Sequence, residues 1–249
     1  MSQVLIEVAC FTPESALKAV SNGAGRIELC SGYSEGGLSP SAGTISLVRN
    51  KVDIPIHVMV RPRVGDFLYN STDMEAIFRE VSFYRELGVD GIVVGILTSD
   101  GHVDTKAIAQ IVEKASPMTV TFHRAFDQCT DLKDELLRLI DCGVHRVLTS
   151  GGKADVISGL DNLKKLVEIA ENKIIVLPGG GIRADNVQQI VQRLGVPEIH
   201  LSAKALVNSR IENVNENISL CDPNGLHDFS WYECDGLKVS EVSQLLNKT

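Results

Sequence analysis

Short runs of β-branched and aliphatic residues recur along the chain, and each gives way to a stretch whose apolar positions repeat with helical period. The runs predict strands at Val4–Cys10, Arg26–Cys30, Ile54–Arg61, Gly91–Leu97, Thr119–Phe126, Arg146–Ser150, Ile174–Leu177 and Glu198–Ala203. They return about every 25 residues, the length of one strand, one helix and two short loops. The helices carry their own punctuation. Thr12-Pro13-Glu14 is a cap followed by proline at the first helical position, and Asn22-Gly23 stops that helix. Ser39-Pro40 opens the second helix in the same way, Ser71-Thr72-Asp73-Met74-Glu75 caps the third, and Leu87-Gly88, Asp141-Cys142-Gly143 and Leu194-Gly195 read as helix ends. Eight consecutive βα units joined by right-handed crossovers predict an α/β fold closed into a (β/α)8 TIM barrel. A doubly wound open sheet is the alternative, but that architecture more often has about five to seven strands.

The alternation breaks after the eighth strand. Residues 204–236 are Asn-rich and aperiodic, with a turn signal at Asp222-Pro223-Asn224-Gly225, and helical period returns at Val239–Leu246. A long irregular insert within a single barrel domain spanning 1–249 suits a lid, an interface arm or a mobile loop.

Strand side chains alternate between the barrel interior and the helix layer. One parity is almost wholly apolar: Ile6, Val8, Ile27, Leu29, Ile56, Val58, Val60, Ile199 and Leu201. The other carries Glu7, Glu28, Cys30, His57, Met59, Arg61, Thr121, His123, Glu198, His200 and Ser202. Unpaired ions inside a barrel cost several kcal/mol each, so two glutamates, an arginine and a histidine there need a reason. A self-satisfied core network, with Arg61 neutralising the glutamates, is one reason. A polar pocket is the other, with Glu7, Glu28 or His123 moving protons and Arg61 clamping an anion.

Three later loops suit an anion. Ser150-Gly151-Gly152 follows the sixth strand, Gly179-Gly180-Gly181 follows the seventh, and Ser202 ends the eighth. Glycines let backbone N–H groups approach an oxyanion, and the loops after strands seven and eight form the usual phosphate site of this fold. Gly-Gly-Gly-Ile-Arg-Ala lacks the spaced third glycine of a dinucleotide fingerprint, so no nucleotide cofactor is expected. Other single residues read more blandly. His57 is expected as a core histidine, His102, His145 and His227 as surface groups, and Cys129 and Cys142 as small buried hydrophobes; Trp231 and Tyr232 would pin the insert.

The net charge of −8 and pI near 5.3 argue against nucleic-acid or anionic-membrane binding, which need a basic field. No apolar run approaches the roughly 20 residues of a membrane span, and the start lacks the pattern of a secretion signal, so a cytosolic location is expected. The six cysteines, at 10, 30, 129, 142, 221 and 234, are then thiols, with no C-x-x-C and no zinc-finger spacing.

Over residues 4–203 the chain resembles the CutC family of copper homeostasis proteins. The resemblance rests on Arg26-Ile27-Glu28-Leu29-Cys30, Glu35-Gly36-Gly37-Leu38-Ser39-Pro40-Ser41, Arg61-Pro62-Arg63-Val64-Gly65-Asp66-Phe67 and Asp100-Gly101-His102-Val103-Asp104. It continues through Thr121-Phe122-His123-Arg124-Ala125-Phe126-Asp127, Val147-Leu148-Thr149-Ser150-Gly151 and Pro178-Gly179-Gly180-Gly181-Ile182. It implies a cytosolic barrel, a homo-oligomer and a role in copper handling through Cu(I) binding. Cu(I) prefers thiolate or thioether ligands. Cys30 matches the cysteine of the family's Glu-Leu-Cys motif, with Cys10 or a neighbouring subunit as the further ligand; the position two after the first-strand glutamate, a cysteine in several relatives, is Ala9 here. Three readings follow: a Cu(I)-binding homeostasis protein, a barrel enzyme acting on a small anionic or phosphorylated metabolite, and a non-catalytic structural or interaction protein on the same barrel.

Overall fold

Apolar parity on one side of each strand and helical period between strands leave one arrangement in which both can be buried. The computed structural model, which describes residues 4–213, 215, 217–220 and 228–247, adopts it. Eight strands, β1 (Leu5–Cys10), β2 (Arg26–Leu29), β3 (Ile56–Met59), β4 (Gly91–Val94), β5 (Thr119–Phe122), β6 (Arg146–Thr149), β7 (Ile175–Pro178) and β8 (Glu198–Leu201), form one parallel sheet. Its order is β7-β6-β5-β4-β3-β2-β1-β8, and a single bridge between Gly179 and His200 brings β7 against β8, so the sheet closes into a barrel. Helices α1 (Pro13–Ser21), α2 (Ala42–Arg49), α3 (Ser71–Glu86), α4 (Thr105–Ala115), α5 (Leu132–Asp141), α6 (Leu160–Ala170) and α7 (Val187–Leu194) follow the first seven strands. Their apolar faces cover Val8, Ile27, Leu29, Ile56, Val58, Ile92, Phe122, Val147 and Ile199, which form the main core between barrel and helices.

The strands are shorter than their apolar runs because the chain turns as soon as each reaches the barrel rim. After Phe122 the His123 ring accepts from the Ala125 N–H at 3.1 Å and starts a 3-10 turn over Arg124–Gln128, which ends the predicted Thr119–Phe126 strand four residues early. Ser39-Pro40 does not open α2; Ser41 is its cap. Ser39 instead binds β3's exit: its hydroxyl accepts from Arg61 N–H at 2.8 Å and donates to Glu80 at 2.7 Å. Helix α3 is capped by Asn70 in a reciprocal box with Asp73, one residue before the predicted segment.

The stretch after β8 is less irregular than its composition suggests. β9 (Lys204–Asn208) and β10 (Ser230–Cys234) pair antiparallel as a two-stranded arm, and α8 (Gly236–Asn247) follows, packed against α1 and α7. Tyr232 pins the arm by stacking on Tyr33 at 4.5 Å, whereas the Trp231 side chain stays exposed, its indole N–H donating to Glu233. Cys221, His227 and the Asp222–Gly225 turn lie outside the described residues. No described helix is long and apolar enough to cross a membrane.

Candidate functional site

The inward parity of the strands puts the polar residues in two storeys. In the lower one, register sets Glu7 of β1 beside Arg26 of β2 and His200 of β8. Arg26 Nε donates to Glu7 at 2.5 Å and its Nη2 to Glu198 at 2.6 Å, while Arg146 Nε donates to the same Glu198 oxygen at 2.8 Å. Two arginines and two glutamates thus neutralise one another under the floor of the barrel. Arg26 and Arg146, not Arg61, do the neutralising. Burial would raise the Glu7 pKa, but the His200 hydrogen bond and the Arg26 charge outweigh it and hold the carboxyl well below its usual range. His57 sits beside this network with Nε2 3.2 Å from the Thr119 hydroxyl and Nδ1 3.7 Å from Glu7. Burial pulls its pKa down to about 4.

Above the floor the mouth opens into a cavity of about 840 Å³. Glu28, Arg61, His123, Arg124 and His200 all line it. His200 Nδ1 is held by Glu7 at 2.8 Å, which turns Nε2 toward Glu28 at 3.9 Å. Glu28 Oε1 has no partner among the described residues, although the side chain is buried. Burial and the Glu7 charge raise the Glu28 pKa against the pull of His200. Burial alone would lower the His200 pKa, but the facing Glu28 and Glu7 carboxylates raise it. A carboxyl and an imidazole both shifted upward, face to face at the bottom of the cavity, are suited to holding and passing one proton.

Across the mouth, His123 is seated in space left by Gly95, where a Cβ would stand 2.3 Å from the ring. Burial, and then the Arg61 charge, pull its pKa down to about 3, so the ring is neutral at ordinary pH. Arg61 makes no ion pair among the described residues. Its Nη1 donates to the carbonyls of Glu35 and Gly37 at 2.7 and 3.0 Å, and its Nη2 to Gly65 at 2.9 Å.

The glycine loops divide. The donors after β6 are occupied from within: Asp127 accepts from the N–H groups of Ser150 and Gly152 at 3.1 and 2.9 Å and from both adjacent hydroxyls, while Gly151 N–H binds Thr149 Oγ1 at 2.9 Å. Ser150 and Gly151 are therefore not open to an outside anion, because the chain supplies its own carboxylate there. Gly179 N–H is likewise spent on the Thr149 carbonyl at 3.0 Å. Gly180 and Gly181 remain on the cavity wall with Arg124, Lys153 and Ser202. Their φ values of 112° and 80° need glycine, and a Cβ on Gly180 would stand 3.4 Å from the Arg124 guanidinium.

The thiols fall into different layers. Cys10 packs among the outward apolar side chains, whereas Cys30 lies inside with Met59 and Val93. Register puts Cys30 just beyond the Leu29–Val58 pair, alongside Met59. Its Sγ is 3.6 Å from Glu28, and burial pushes its pKa well above the usual thiol range. Cys10 and Cys30 thus do not converge on one ion. Among the described residues the three donor groups that do converge are Glu7, Glu28 and His200, a hard oxygen and nitrogen set unlike a Cu(I) site.

Sequence reasoning overlooked Arg26, Arg146 and Asp127. Arg26 shares the inward parity of Glu28 and was the readable signal; the partners of Arg146 and Asp127 come from distant strands and loops. His102, expected at the surface, binds the buried Glu135 at 2.7 Å and docks its loop on α5.

A sequence model of the CutC family matches residues 4–205. A family protein CutC of Salmonella schwarzengrund is 41% identical over 242 residues, 97% of each chain, and one of Salmonella newport is 42% identical over the same span. The solved structure of CutC from Streptococcus agalactiae, named for copper homeostasis, is 33% identical, covers 79% of this chain and 97% of its own, and superposes with a TM-score of 0.75. Thiamine phosphate pyrophosphorylase from Pyrococcus furiosus shares the fold alone, at 16% identity and a TM-score of 0.58 over 99% of this chain and 96% of its own.

Proposed function

The chain belongs to the CutC copper-homeostasis family, and from that premise we propose that its molecular activity is enzymatic: proton transfer on a small anionic metabolite bound in the barrel mouth. The observation that carries this reading is Glu28, a buried residue of the wall of an 840 Å³ cavity, with one carboxylate oxygen unpartnered among the described residues and the other 3.9 Å from His200. Glu7 orients His200, Glu28 and His200 share the transferable proton, and Gly180, Gly181, Arg124, Lys153 and Ser202 receive the anionic end of the ligand. A cytosolic homo-oligomer is part of the same reading, by resemblance to the family. A panel of phosphorylated and carboxylated metabolites, screened by thermal shift, is expected to contain a stabilising ligand. Glu28→Gln should then bind that compound but turn it over about 100-fold or more slowly. A Glu28→Gln protein with unchanged turnover would remove Glu28 from the chemistry.

Direct Cu(I) handling is the second reading, favoured by the Cys30 thiol and Met59 thioether lying side by side beneath Gly37. An anaerobic Cu(I) titration against a competing chelator should then show tight binding that Cys30→Ser loses. Weak binding indifferent to that substitution makes the link to copper indirect.

A further inference from the structure

Two buried donors at the mouth share one aromatic ring. Arg61 Nε and His123 Nε2 have no acceptor among the described residues, although Arg61 is 7% and His123 5% exposed. The Arg61 guanidinium lies 5.1 Å from the centre of the Phe67 ring and the His123 imidazole 4.8 Å from it. All three residues line the cavity.

The proton positions follow from the partners. His123 Nδ1 accepts the Ala125 N–H, so the hydrogen of the neutral ring is on Nε2. The three carbonyl contacts of Arg61 hold its plane and use only Nη1 and Nη2, which leaves the Nε hydrogen without an acceptor in hydrogen-bond geometry among the described residues, with the buried Tyr69 hydroxyl close to the guanidinium. Two donors, one of them charged, are thus fixed by their surroundings before any acceptor arrives, and buried donors left unmade are costly. The Phe67 ring, itself partly buried against the core, lies against both, and its backbone is held by the Leu97 N–H on the Phe67 carbonyl at 2.9 Å.

We propose that Arg61 Nε–H and His123 Nε2–H form a two-donor subsite for a carboxylate of the ligand, with the Phe67 ring as its cover. This rests on the small-anion reading of the cavity and extends it. The ligand carries a planar carboxylate at the β3–β5 side of the mouth, at a place distinct from the Gly180–Gly181 wall. It also gives His123 a role other than proton transfer: the ring donates a hydrogen bond and accepts none from the ligand.

The test compares two probes on the full-length protein by ¹⁵N NMR of side-chain and backbone N–H groups. 2-Phosphoglycolate carries a phosphate and a carboxylate, whereas glycerol 3-phosphate carries the phosphate without the carboxylate. Saturable shifts of His123 Nε2–H and Arg61 Nε–H with the first probe and not the second are expected. Arg61→Lys, which keeps the charge but removes the Nε donor, should weaken 2-phosphoglycolate about tenfold or more and leave glycerol 3-phosphate unchanged. Because Arg61→Lys also disturbs three backbone contacts, Phe67→Ala serves as a second variant that spares both donors. It should keep the shifts and speed solvent exchange of the His123 Nε2 proton. Shifts confined to the Gly180 and Gly181 amides with both probes would overturn the subsite and leave the anionic-ligand reading standing. Silence at every site would overturn both.

Discussion

His57 and His123 are both held neutral by burial, and that fixes the sign of their contribution to stability. Their folded pKa values, about 4 and about 3, lie below the ordinary 6.5. Between those limits the unfolded chain binds a proton that the native chain does not, so stability is fully present above pH 6.5 and is lost as pH falls toward 4. His200, raised by the facing Glu28 and Glu7 carboxylates, works in the opposite sense: its contribution is present below the ordinary 6.5 and is lost only as pH rises above it. Each depressed histidine contributes about 1.4 kcal/mol per pH unit. Denaturant unfolding of His123→Gln between pH 6 and pH 4 should therefore show a slope shallower by about that amount, whatever its absolute stability. An unchanged slope would mean that His123 titrates normally in the folded protein.

At the scale of elements, the strand ends decide which side chains meet. Gly95, just past β4, is placed so that a methyl group there would collide with His123 at 2.3 Å. Gly95→Ala should cost about 1–3 kcal/mol in thermal unfolding and displace the His123 ring signals, while Gly195→Ala, where a Cβ meets nothing, should leave those signals in place. Such contacts explain what could be read in advance. Period-2 alternation put Glu7, Glu28, Arg61 and His123 on the inner face, because parity is local and survives any error in strand length. Which arginine neutralises which glutamate was not local. Glu198 meets Arg26 and Arg146 only after β8 returns beside β1, and which side chains meet across that seam depends on a register that spacing along the chain does not encode. Asp127 was hidden for the same kind of reason. It lies three residues after Arg124 on a short turn with no local mark of its role, yet its oxygens fill the glycine loop of β6.

For the molecule as a whole, closure depends on more than the segment that the family model matches. The family match ends at residue 205, but Val239 and Val242 of α8 are buried where that helix packs on α1 and α7. Val242→Asp, which would bury an unpaired charge there, should destabilise the protein by at least about 3 kcal/mol, measured by chemical denaturation. A loss under about 1 kcal/mol would mean that α8 is an accessory to the barrel rather than part of its wall. The neutralised floor has its own consequence. Glu7, Arg26 and Glu198 are plugged into one another beneath the cavity, and Glu28, further along β2 from Arg26, has an oxygen that is buried and unpartnered among the described residues. A hydrogen lifted from a bound molecule by Glu28 would be slow to mix with bulk water. Turnover in D2O should then return much of the original protium to the product, an isotopic memory that the sealed base of the barrel would write into every cycle.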